Sequence, residues 1–175
     1  MKFGKLRKEF FFLPKLHKLL KLPKLCRNKS IIFKGAIIMT KELWLNLPVK
    51  DINKSKEFFQ KIGFAQNEKY SGPGMACFEV GEKKINVLVC AEETFKTFTK
   101  SDVSDAGKGA EILISFDAES RDEVDETARR VFDAGGTIFA EPAEIQGWMY
   151  GFGFTDPDNH RWNMLFMDFS KLPQQ

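Results

Sequence analysis

Three cysteines and two histidines are all that this 175-residue chain holds of thiol and imidazole ligands. Cys26, Cys77 and Cys90 show no C-x-x-C or related metal spacing, and their odd number argues against a disulfide framework. They read as reduced thiols of a cytoplasmic protein. Only one histidine, His160, lies beyond residue 38. No apolar run approaches the roughly 20 residues that a membrane-spanning helix needs. Acidic groups are scarce at the start: residues 1–38 hold 11 of the 27 Lys and Arg and one carboxylate, Glu9, for a net of +10. Residues 39–175 hold the other 16 basic and 23 acidic groups, for a net of −7.

The opening KLRKEFFFLPKLHKLLKLPKLCRNKS admits a functional reading. Leu13, Leu16, Leu19 and Leu20 face an anionic membrane in one version, and the lysines bind nucleic acid in another. Pro14 and Pro23 interrupt the helix that either version needs. Lys34-Gly35-Ala36 can be encoded by a purine-rich bacterial ribosome-binding sequence just ahead of the Met39 codon. The expectation is therefore that translation starts at Met39 and that 1–38 is a mis-annotated or disordered basic extension. A native peptide from residues 10–35 in a mass spectrum refutes it.

What is present from Met39 onward is alternation. In ELWLNLPV, Leu45, Leu47 and Val49 share one face of a strand and Trp44, Asn46 and Pro48 the other. Asp51 caps a helix with the stripe Ile52, Phe58, Phe59 and Ile62, closed by Gly63. Strands follow at 64–68, 75–80 and 84–90, the last two joined by a turn at Gly81-Glu82. Residues 93–108 read as a polar linker. The pattern then restarts with the strand EILISF at 111–116. A capping box at Ser120 to Glu123 opens a second helix, with the stripe Val124, Ala128, Val131 and Phe132 and a stop at Gly135-Gly136. Strands near 137–140, 148–154 and 161–167 complete it. Thr155 to Asn159 is a cluster of turn formers that His160 helps to close.

The globular part is thus a duplicated module of strand, helix and three strands, aligned with an offset of 67 residues that sets Trp44 opposite Glu111. Module one spans 41–92 and module two 109–168, within one domain of 39–172. Each sheet has one apolar face for its helix and one mixed face, and the mixed faces are expected to curve round a shared cavity.

LNLPVKDINKSKEFFQKIGF near the start and GFGFTDPDNHRWNMLF near the end resemble the vicinal oxygen chelate superfamily, which includes glyoxalase I, bleomycin-resistance proteins and extradiol dioxygenases. The resemblance implies an α+β fold of two βαβββ modules forming a curved mixed sheet round a cup-shaped cavity, and a homodimer. It also implies metal-ligand positions, which fall here on Trp44, Asn86, Glu111 and Asn163. Indole has only an N–H donor and the two amides are weak ligands, so Glu111 is left as a lone carboxylate. The expectation is no metal and no other cofactor.

Glu111 is the candidate general base, against the competing reading of an exposed group or a partner of Arg161. Asn86 and Asn163 either meet a ligand or bond each other. Trp148, Tyr150, Phe152 and Phe154 share parity, as a ligand wall or as core. Together with Trp44 and Asn46, these residues (Phe154 excepted) are the candidate ligand contacts. Cys77 and Cys90 read as buried small hydrophobes. The function expected is binding of a small organic molecule, mildly favouring cations. The alternatives are a glyoxalase-like lyase or isomerase of the lactoylglutathione lyase type, or a dioxygenase-type metalloenzyme, using Glu111. Neither nucleic acid nor membrane is expected as a partner of the globular part.

Overall fold

The computed structural model describes residues 42–172. The basic stretch 1–38, with its start-site, membrane and nucleic-acid readings, lies outside the described residues.

The first module runs β1 (Trp44–Val49), α1 (Ile52–Lys61), β2 (Ala65–Gly72), β3 (Met75–Val80) and β4 (Ile85–Ala91). Asp51 starts α1 as its composition implies: the carboxylate accepts from the Asn53 and Lys54 amides at 2.9 and 3.1 Å, and helix-breaking Gly63 follows at φ +103°. The strands form one sheet in the order β1-β4-β3-β2, with β1 parallel to β4 and the other pairs antiparallel.

The stretch 93–108 is not wholly a linker. Glu92–Thr99 forms a helix, α2. Its carboxylates Glu92 and Glu93 sit in the first turn, where the helix dipole favours them, and Glu93 pairs with Lys96 at 2.9 Å. Phe95 packs with Trp44 and Met75 on a small buried cluster of Cys77, Leu88 and Cys90. The mixed face of the first sheet is therefore partly roofed by α2.

The second module repeats the order as β5 (Leu113–Ala118), α3 (Arg121–Asp133), β6 (Thr137–Ile145), β7 (Met149–Thr155) and β8 (Arg161–Met167). Its sheet is β5-β8-β7-β6, with β5 parallel to β8. Ser120 Oγ accepts from the Glu123 amide, while the Glu123 carboxylate reaches back to the Glu119 amide, one residue before the cap. Phe132 does not join the stripe of α3: it is 70% exposed, and Thr127 is buried instead. The sheets are two separate four-stranded ladders rather than one continuous curved sheet.

Two corrections of register follow. Trp44 pairs with Asn86 at the start of the β1–β4 ladder, and Leu113 pairs with Arg161 at the start of the β5–β8 ladder. The modules therefore align with an offset of 113 less 44, or 69 residues, not 67. Glu111 falls in the bend before β5 rather than on the strand. By the same pairing Asn163 lies beside Ser115 and Gly153, whereas Asn86 lies beside Trp44 and Glu79.

The core is shared. Leu47, Val49, Phe58, Phe59, Phe78 and Val89 of the first module pack in one cluster with Val124, Val131, Phe152, Phe154, Trp162 and Met164 of the second.

Candidate ligand site

The turn that joins β7 to β8 is built on Asp156, which is 3% exposed. Its Oδ1 accepts from the amides of Asp158 and His160, each at 3.0 Å. Its Oδ2 accepts from Trp162 Nε1 at 3.3 Å and lies 2.9 Å from His160 Nδ1. Asn159, in the left-handed region at φ 71°, lets the chain reverse. Asp158 reaches the other module, accepting from the Lys50 amide at 3.0 Å and from Ser55 Oγ at 3.2 Å. The turn thus fixes His160 against the end of β1.

A cavity of about 350 Å³ opens beside it, between α2, the 100–112 connection and the ends of β1 and β8. Leu47, Phe95 and Ile112 give it apolar wall, and Asn46, His160 and Arg161 polar wall. Three carboxylates line it, Asp102, Asp105 and Glu111, against the one guanidinium of Arg161. A neighbouring cavity of about 340 Å³ adds Lys50, Lys96, Glu92 and Asp158 and shares Asp102 and His160 with the first. Asp105 is held below the usual carboxylate range, first by the hydrogen bond from the Gly107 amide and then by Lys108. Among the described residues Glu111 has no hydrogen-bond or ion-pair partner. Asp102 makes no hydrogen bond among them but lies near enough to Lys96 to add to the raising of its pKa, after the larger effect of Glu93. Arg161 does not pair with Glu111 but lies over the Phe139 ring, 4.6 Å from its centroid.

Of the residues singled out from the sequence, Asn46 and Glu111 come together in this cavity. Trp44 lies elsewhere, edge-on to Tyr70 at 4.9 Å, lining a shallow cavity with Met75 and Leu88. Asn86 accepts from the Cys77 thiol at 3.4 Å. It does not bond Asn163, whose Oδ1 is sealed from solvent without a partner. Trp148 packs near Phe169 at 6.0 Å. The aromatic wall turns the other way: Phe152 is 2% exposed and stacks on Phe154 in the core. Tyr150 donates to Asp125 on α3 at 2.8 Å, and that acceptor raises the Tyr150 pKa. Gly151 and Gly153 occupy the opposite face of β7, so the aromatic side chains of this strand all lie toward α3.

His160, Phe95 and Asp102 were missed as site residues. The signal for Phe95 was available in Phe95 and Phe98 at i, i+3 behind an acidic first turn. Nothing local to the sequence marks Asp102.

Paired βαβββ modules, each with its first strand parallel to its fourth, define the vicinal oxygen chelate architecture. The model of the Glyoxalase/Bleomycin resistance protein/Dioxygenase superfamily matches residues 43–164, and the chain belongs to that superfamily. A hypothetical protein, SA1046 from S. aureus, has a similar structure: TM-score 0.64 at 30% identity, covering 73% of this chain and 94% of that one. A glyoxalase/bleomycin resistance protein/dioxygenase family enzyme from Burkholderia phytofirmans PsJN is 23% identical at TM-score 0.62, covering 71% and 96%. The fosfomycin resistance protein FosX from Listeria monocytogenes is 21% identical at TM-score 0.56, covering 79% and 97%. These last two likenesses concern the fold. None of the curated proteins matches the chain.

The residues at the superfamily's metal-ligand positions do not fit a metal. Trp44 offers no lone pair, Asn86 is engaged by a thiol, and the corrected register sets Leu113, which has no donor atom, opposite Trp44 in place of Glu111. Among the described residues no group of three or more His, Cys, Asp or Glu is placed to hold an ion.

Proposed function

We propose that this protein binds a small, partly apolar organic cation in the cavity beneath α2, without a metal at the superfamily's ligand positions. The observation that carries this reading is the combination of an apolar wall from Leu47, Phe95 and Ile112 with the carboxylates Asp102 and Glu111, of which Glu111 has no hydrogen-bond or ion-pair partner among the described residues. A volume of about 350 Å³ lies in the range of small-molecule pockets. Charge adds to it, since the net of −7 over residues 39–175 draws cations toward the fold.

A thermal-shift screen over cationic, neutral and anionic compounds tests the reading, because a ligand that binds only the folded state raises the apparent melting temperature. Cationic hits are expected, and Glu111→Gln should reduce their shifts. A screen whose hits are all anions, or unmoved by Glu111→Gln, rejects it.

The second reading, a glyoxalase-like lyase or isomerase with Glu111 as base, draws on the free carboxylate of Glu111 in the same cavity. Stoichiometric Zn, Ni, Co, Mn or Fe in untagged protein, lost in Glu111→Gln, would establish it over the first. A cytoplasmic homodimer is the assembly proposed, to be tested by sedimentation and by cell fractionation.

A further inference from the structure

His160 is the one imidazole among the described residues, and its placement is unusual for a residue whose only task is to close a turn. The side chain is 8% exposed, and Nδ1 faces the Asp156 carboxylate at 2.9 Å. A carboxylate held by three other donors can only accept, so the neutral ring carries its proton on Nδ1 and leaves a lone pair on Nε2. Nε2 has no partner among the described residues. It is also not sealed in, because Asn163 Oδ1 is the only enclosed and unpaired side-chain polar atom among them. His160 lines both cavities, which share Asp102 as well.

The geometry points to His160 Nε2 as the hydrogen-bond acceptor for the N–H of a primary ammonium group, with Asp102 and Glu111 supplying the countercharge and Phe95 and Ile112 holding the apolar body. This rests on the reading of the cavity as a small-molecule site and narrows it to amines. Asp156 is then a positioning residue that fixes the ring and its tautomer.

The full chain is titrated with 2-phenylethylammonium chloride, and separately with 3-phenylpropionate, at about pH 8. Long-range ¹H–¹⁵N spectra of the imidazoles are recorded, with His160 assigned in a His17→Gln background. Before titration the proton should sit on Nδ1. The ammonium compound should then shift the Nε2 resonance saturably, and propionate should not. Glu111→Gln should weaken that titration by about tenfold, as expected for losing one charged partner, at unchanged melting temperature. His160→Gln should abolish it; if that variant fails to fold, Glu111→Gln decides. A proton on Nε2, no saturable shift with the ammonium compound, or an equal shift with propionate overturns the inference. Binding of propionate alone overturns it while leaving the small-molecule reading intact, and a thermal-shift screen without any hit removes both.

Discussion

At Asp156 one carboxylate gathers four donors in a place with almost no water: two amides, an indole N–H and an imidazole N–H. Asn has one oxygen to offer and turns an NH₂ toward at least one of those donors. Asp156→Asn should therefore cost about 2–3 kcal/mol, the scale of lost charge-assisted bonds plus an unsatisfied donor. Urea unfolding measures it, and a cost below about 0.5 kcal/mol would mean that the turn closes without this carboxylate. Two glycines on β7 make a paired comparison. A Cβ at Gly151 would meet the Met164 carbonyl oxygen at 2.4 Å, and that backbone cannot retreat without disturbing β8. A Cβ at Gly153 would meet the Phe139 ring at 2.4 Å, a side chain 44% exposed and able to swing out. Gly151→Ala should cost about 2–3 kcal/mol and Gly153→Ala less than about 1. Equal costs would show that the Phe139 ring, under the Arg161 guanidinium, is as fixed as the backbone.

Among elements, α2 is the weakly tied one. Ala91 at its N-cap gives no side-chain bond, Lys100 ends it in the left-handed region at φ 55°, and none of its residues is fully buried. Its hold on the first sheet is Phe95 against Cys77, Leu88 and Cys90. Burial pushes the Cys90 thiol from 9.0 up to about 11, and burial followed by the nearby Glu79 charge raises Cys77. At pH 8 only about one Cys90 in a thousand is then thiolate, so native alkylation should be slow. Phe95→Ala should speed iodoacetamide labelling of both thiols by about tenfold or more with a melting shift of only a few degrees. Labelling that tracks global unfolding in both proteins would show that α2 does not open by itself. A raised acid pKa means the native state keeps its proton where the unfolded state has lost it. The stabilisation from Cys90 is therefore whole below about pH 9 and lost as pH climbs through about 11. How much of this was legible follows from the same physics. Alternation placed β3 and β8 to the residue and told the two faces of β1 apart. It could not place Glu111, because a slip of two residues leaves every side chain on its own face. Nor could parity say that Tyr150, Phe152 and Phe154 face α3; the glycines between them decide that by leaving the other face bare. The helix of α2 was hidden by three threonines and a missing cap, both poor helix signals.

The whole molecule is a duplicated module that has lost its independence. Phe59 on α1 lies 5.2 Å from Phe78 of its own sheet and 5.5 Å from Trp162 of the other, so one ring serves both cores. Phe64 meets Phe116 at 5.5 Å, and Asp158 binds the start of α1 from the far hairpin. Neither half can keep its apolar face covered once the other unfolds, so both should melt in one cooperative transition. Thiol exposure at Cys77 and Cys90 reports the first module, and Trp162 fluorescence in a Trp44→Phe, Trp148→Phe background reports the second. Their urea midpoints should coincide. Phe59→Ala should lower both midpoints together, by a stability loss of about 3–5 kcal/mol typical of a buried phenyl ring. Were the rings merely touching across two self-sufficient cores, Phe59→Ala would move the thiol transition and leave that of Trp162 in place.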